Sequence, residues 1–334
     1  MLLLIFTGEN DYTGKTLISE GELRIGNNTA TGRIIGSSIV NNAGLGFWRN
    51  NDYTIAADIS GTGTVYKSNH NGARLTFTGN NTYEGETTVH NGTLQIGNGT
   101  SGSLTNSKVT LSQSTSTLRF EPGVRLTFTK EITGAGKVEY SGDSNTKQLE
   151  FPTVHTYAGT TTIEAGWLNI THAGKVASGN IIVKGVNFGA IIFNAGNNDQ
   201  TYSGVISGDG KLIKWGGGKL TLTGENLYTG ETGLYGTVQI GDGTSGSIAN
   251  TSEVILSAHA VLRFEPGKSM TFSKVIRGDG KVEFKGDNGE LYFTGENSYT
   301  GTTEKFNFSS KSRNDGITRK PDNDSNKKYG NQKE

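Results

Sequence analysis

The chain has 334 residues with 31 basic and 31 acidic side chains, so its formal net charge is zero, and no global field draws it onto nucleic acid or anionic lipid. There is no cysteine, which rules out disulfide staples and thiolate metal sites. Glycine (50) far outnumbers proline (4), a balance that favours short strands joined by tight turns, and no apolar run approaches the roughly 18 residues of a membrane helix.

In chain order, the first segment, Met1 to Ile5, is apolar but has neither a basic flank nor a cleavage site, so it reads as a strand and not as a signal peptide. At Phe6 begins the phrase F-T-G-E-N-D-Y-T-G, which returns at Phe77, Phe151, Leu222 and Phe293. Its tyrosines, Tyr12, Tyr83, Tyr157, Tyr228 and Tyr299, are separated by 71, 74, 71 and 71 residues. A fixed period of this kind is the mark of a repeat architecture.

Each unit holds three shorter strand phrases. T-L-Q-I, T-L-R-F and K-V-E-Y start at Thr93, Thr117 and Lys137; W-L-N-I, A-I-I-F and K-L-I-K at Trp167, Ala190 and Lys211; T-V-Q-I, V-L-R-F and K-V-E-F at Thr237, Val261 and Lys281. Within a unit the starts lie 20 to 24 residues apart, the length of one circuit of a parallel β-helix that lays each strand on its predecessor. The expected fold is all-β: a right-handed, single-stranded parallel β-helix with about three rungs per 71-residue repeat. Apolar and polar residues alternate in the phrases, so Leu94 with Ile96 and Leu118 with Phe120 should point inward while Gln95, Arg119, Asn169 and Arg263 face out. On the third rung Lys67 and Lys214 stand where other units have Tyr140 and Phe284, which leaves the register there open. Glycine pairs precede that rung, Gly61/Gly63, Gly134/Gly136, Gly208/Gly210 and Gly278/Gly280, where a sharp turn calls for positive φ. The repeat ends at Thr303, and residues 304–334, with 13 charged side chains, are expected to form a disordered tail.

The stretches L-T-F-T-G-N-N-T-Y-E-G-E-T-T-V-H-N-G-T-L-Q-I-G (Leu75 to Gly97) and I-S-G-D-G-K-L-I-K-W-G-G-G-K-L-T-L-T-G-E-N-L-Y-T-G (Ile206 to Gly230) resemble the passenger-associated transport repeat of autotransporters, over roughly residues 6 to 303. The resemblance implies a surface-displayed or secreted β-helix with a structural or adhesive role and no catalysis. It also implies a host-surface protein or glycan as partner and, in a full-length protein, a C-terminal outer-membrane barrel. Neither a signal peptide nor a barrel is visible in this chain, which suggests a truncated or frame-shifted piece of a longer gene and, as an alternative function, a gene remnant.

The remaining alternative is a polysaccharide lyase or glycosidase on the same scaffold, which needs a unique acid-base cluster. The best candidates, Arg119 with Glu121 and Arg263 with Glu265, lie in duplicate L-R-F-E-P-G phrases, so they read as structural i, i+2 pairs. The G-x-G-x-x-G strings at Gly97 and Gly241 are followed by strand-like sequence and not by the helix that a dinucleotide site requires, so they read as turns. His70, His90, His155, His172 and His259 lack ligand spacing, so neither metal nor cofactor is expected, and they read as loop or surface residues. Trp48, Trp167 and Trp215 could form a sugar- or protein-binding stripe.

Overall fold

A computed structural model describes residues 2–36, 38–68, 72–142, 147–171, 174–176, 179–286 and 290–306. The strand phrases are strands, because β-branched and aromatic residues alternate with polar ones between glycine turns. Every strand pairing among the described residues is parallel, and the chain winds into a solenoid of about 13 turns. At a strand spacing of roughly 4.8 Å this gives a length of about 60 Å. The strand Thr303–Phe306 still pairs with Lys281–Lys285; beyond Phe306 the expected tail lies outside the described residues.

Each turn visits three faces in order. The first turn places Leu3–Phe6 on face 1, Glu9–Asn10 on face 2 and Thr16–Ile18 on face 3, and Glu22–Thr29 returns to face 1 beside Leu3–Phe6. The three phrases of one unit stack directly: Leu94, Leu118 and Val138 share one column, and Ile96, Phe120 and Tyr140 the next. These side chains are buried in a core cluster that includes residues from Ile18 to Phe284. No rung can cover its own inward pair, so burial is shared between neighbours.

The repeat overshoots three turns by one face. Glu22–Thr29 lies on face 1, its counterpart Gly92–Ile96 on face 2, Trp167–Thr171 on face 3, and Thr237–Ile240 on face 1 again. Equivalent residues of successive repeats therefore wind around the solenoid.

Two expectations about facing change in detail. Gln95 and Asn169 occupy outward positions but are only 5% and 3% exposed, because neighbouring rungs lie close enough for side chains such as Arg74 to cover them; the Arg74 guanidinium donates to Gln95 Oε1 at 3.0 Å. The register at Lys67 and Lys214 holds: Lys67 aligns with Phe47 and Val89, and Lys214 with Phe193 and Leu234. Both lysines point inward and are 3% and 1% exposed.

Candidate binding surface on the third face

The repeat tyrosines and glycines meet in one corner device. In the pattern Y-x-G-x-T each tyrosine hydroxyl bonds the threonine four residues on: Tyr12 to Thr16 at 2.6 Å, Tyr83 to Thr87 at 2.5 Å, Tyr157 to Thr161 at 2.5 Å, Tyr228 to Thr232 at 2.6 Å and Tyr299 to Thr303 at 2.5 Å. Tyr83, Tyr157 and Tyr228 are fully enclosed, and burial pushes their phenols well above the usual value. Thr87 and Thr232 extend the bond to Ser107 at 2.7 Å and Thr251 at 2.8 Å on the next turn. The glycine of the same pattern stacks on the glycine pair of the turn below: a Cβ on Gly85, Gly159, Gly230 or Gly301 would strike the carbonyl of Gly63, Gly136, Gly210 or Gly280. Positive φ, expected of both members of each pair, is confined to the first: Gly61, Gly134, Gly208 and Gly278. Gly63, Gly136, Gly210 and Gly280 are glycines because a side chain would hit the adjacent turn.

Two residues before the tyrosine, Asn81 donates to the Gly79 and Ser103 carbonyls at 3.0 and 2.9 Å and accepts from Ile59 N at 3.2 Å; Asn226 does the same with Gly224, Ser247 and Ile206. His155 takes this place in the third copy. It is 0% exposed, not a surface residue as the sequence suggested, and its Nδ1 accepts from Ile132 N at 3.2 Å. Nε2 has no partner among the described residues, and burial lowers the imidazole to about 4. His70 and His172 lie outside the described residues.

The inward lysines reach carbonyl groups at the corners. Lys67 donates to Asn91 O at 2.7 Å, and Lys214 to the carbonyls of Trp215 and, at 2.9 Å, Gly216. Burial lowers both to about 8.

The candidate chemical motifs resolve into wall structure. In the glycine strings, Asn98 Oδ1 accepts from Thr100 N at 3.1 Å and Ser101 N at 3.0 Å, and Asp242 Oδ1 from Thr244 N at 3.0 Å and Ser245 N at 3.3 Å. These are turns closed by their own side chains. Arg119 contacts Glu121 and also Glu139, each at 3.4 Å. The expected pairing of Arg263 with Glu265 is not the one formed: Arg263 pairs with Glu283 at 2.6 Å, and Glu265 with Lys285 at 2.8 Å. The partner on the adjacent rung is nearer than the residue two along the same strand, at roughly 4.8 against 6.8 Å. Among the described residues no group of three or more His, Asp or Glu side chains could hold a metal ion, and no helix is long and apolar enough to cross a membrane.

The tryptophans separate. Trp48 lies on face 1 under the Arg24 guanidinium, 4.0 Å from the ring centroid. Trp167 and Trp215 come together on face 3 with ring centroids 5.9 Å apart, and Tyr235 continues the row 6.3 Å from Trp215. Trp167 donates its indole N–H to Phe188 O at 3.1 Å. That residue ends a short 3-10 turn, Val186–Phe188, in which Asn187 and Phe188 have φ of 47° and 60°. Side chains rarely adopt this conformation without compensation elsewhere; here it holds Val186 and Phe188 in solvent, 58% and 72% exposed.

On the same face the outward column is apolar: Ile192, Ile213, Gly233 and Ile255 align rung by rung. Ile192 is 0% exposed yet lies outside the inner core cluster, as expected of a side chain covered from the outside. Phe188, Tyr235, Ile192 and Ile213 were not singled out by sequence. The available signal was a substitution at matched positions: Ile192 and Ile213 stand where the other units carry Arg119 and Glu139, or Arg263 and Glu283.

The passenger-associated-transport-repeat family matches the chain at residues 3–25, 72–96, 133–170, 212–244 and 284–304. Each matched segment holds one of the repeat tyrosines, from Tyr12 to Tyr299. Comparison with curated proteins and with solved structures gives no match.

Proposed function

We propose, on the premise that this chain is an autotransporter passenger segment built from five passenger-associated transport repeats, that it is displayed at the bacterial surface as a rigid stalk that also adheres to a partner. The observation that carries this reading is the use made of the repeated polar side chains. The tyrosine–threonine pairs close corners of the wall, and the bonds from Thr87 and Thr232, the asparagine bridges and the Arg–Glu ladders join one turn to the next. A scaffold that commits its recurrent polar groups to its own wall supplies reach and a long lateral surface.

Surface display is tested by antibody labelling and protease shaving of intact producing cells, and adhesion by binding of chain-coated beads to host cells. Labelling of intact cells with retention of the beads is expected. Labelling only after lysis would contradict display, and polysaccharide turnover abolished by a single carboxylate substitution would replace the adhesive reading with an enzymatic one.

A further inference from the structure

We propose that the aromatic row and apolar column of face 3 form a docking surface for a neutral glycan chain; this rests on the adhesive reading above and names its site. Trp167, Trp215 and Tyr235 share face 3 with a strip of Ile192, Ile213, Gly233 and Ile255, in which Ile192 and Ile213 replace the Arg–Glu pairs of two other units and Ile192 is fully buried. Gly233 occupies a position that is Thr88 in one sister strand and Thr162 in another. Its missing side chain leaves a notch: a Cβ there would meet Glu231 Oε1 at 3.6 Å and only just reach Ile213 and Tyr235, at 4.0 Å each.

Size and charge select the occupant. The strip spans about three rung spacings of ~4.8 Å and roughly four residues along the strand, an outline on the order of 200 Å², within which Ile192 and Gly233 are already buried by the chain and Ile213 and Ile255 are half-buried. A stable protein partner buries about 800 Å² on each side, so the strip is too small for one, whereas a few sugar rings would fill it. The apolar C–H face of a pyranose packs on an aromatic ring, and its hydroxyls need polar groups at the rim. Those rim groups are present as neutral ion pairs: Lys211 with Glu231 at 3.0 Å and Lys184 with Glu164 at 2.5 Å. A rim whose charges cancel in pairs gives no net attraction to a sulfated or uronic-acid polymer or to an anionic lipid headgroup.

The test is a fluorescence titration of the whole chain, with the indoles as reporters and short neutral β-linked glucose and N-acetylglucosamine oligosaccharides as probes. Saturable binding is expected for the wild type and at least tenfold weaker binding for Trp215→Ala, Tyr235→Ala and the double variant Ile192→Arg/Ile213→Glu. The double variant restores the ladder that sister units already carry, so its thermal melt should stay close to wild type; if it fails to fold, the two aromatic variants carry the test. The proposal is overturned by absence of saturable binding, by unchanged binding in folded variants, or by a preference for heparin fragments, phosphatidylcholine vesicles or an apolar peptide. Bead adhesion separates the site from the broader reading. Loss of sugar binding with adhesion intact would leave adhesion standing without this site, and sugar binding by a chain that does not adhere would leave the site standing without adhesion.

Discussion

Two stretches of the same wall answer one geometric problem in opposite ways. On Gly92–Ile96, Ser116–Phe120 and Lys137–Ser141 the outward column is Gln95, Arg119 and Glu139, whereas on Trp167–Thr171, Ala190–Asn194 and Lys211–Lys214 it is Asn169, Ile192 and Ile213. The inward columns remain apolar in both, apart from Ser116 and Lys214. Parallel stacking only requires that side chains on adjacent rungs tolerate a separation of about 4.8 Å. An ion pair satisfies that requirement, and so does a pair of isoleucines. Wall stability therefore leaves the outer column free to vary, and that freedom is where a binding surface can be written.

The largest effect expected from breaking this comparison is a single half-exchange. Ile192→Arg alone would set a cation beside Ile213 with no carboxylate facing it, and should cost about 3 kcal/mol, as an uncompensated buried charge does. Adding Ile213→Glu should recover most of that loss in a denaturant melt. Equal destabilisation by the single and double variants would show that the two columns are not interchangeable.

A smaller effect separates the two charged ladders. Glu283 is 2% exposed and bound by Arg263 and Lys281, both at 2.6 Å, while Glu139 meets Arg119 at 3.4 Å in a more open setting. Burial of Glu283 works against its charged form, but the bonds from Lys281 and Arg263 outweigh it and hold the carboxyl below the usual range. Its contribution is therefore present above the unfolded carboxylate value and lost as pH falls through the folded one. Glu283→Gln should cost about 2 kcal/mol and Glu139→Gln less than ~1 kcal/mol, compared in parallel urea titrations.

The pH responses of the two kinds of misplaced base fall in opposite pH windows. With His155 lowered to about 4 from 6.5, the unfolded chain binds the extra proton between those values. Stability should be full above pH 6.5 and fall as pH drops towards 4. His155→Asn, which restores the bridge seen at Asn81 and Asn226, should flatten that slope. Lys67 and Lys214, lowered to about 8 from 10.5, should make stability rise between pH 8 and 10.5, a slope that Lys67→Met with Lys214→Met should remove. Melting temperatures measured across both windows check the signs.

Much of the wall was legible because alternation within T-L-Q-I or V-L-R-F reports burial directly, and because the tyrosine phrase recurs intact. The advance of one face per repeat was not. It arises from the sum of unequal turns, which no single phrase displays. Lys67 and Lys214 left the register open because charge argues for the outside, while corner carbonyls within reach make the inside tolerable. His155 was hidden for a similar reason: its role is set by the asparagines at matching positions and not by its neighbours in sequence. Trp48, Trp167 and Trp215 were visible together as a candidate stripe, but which two meet depends on a register that joins residues 48 apart.

The solenoid itself is most directly tested by one distance. Gln95 and Ser207 lie in the same outward column of face 2, linked rung by rung through Arg119, Glu139, Thr162 and Ile182. The chain has no native cysteine, so spin labels at Gln95→Cys and Ser207→Cys report cleanly. Five rung spacings predict a single narrow distance with a backbone separation of about 24 Å; a broad distribution, or one centred beyond about twice that value, would contradict the stacked-turn architecture.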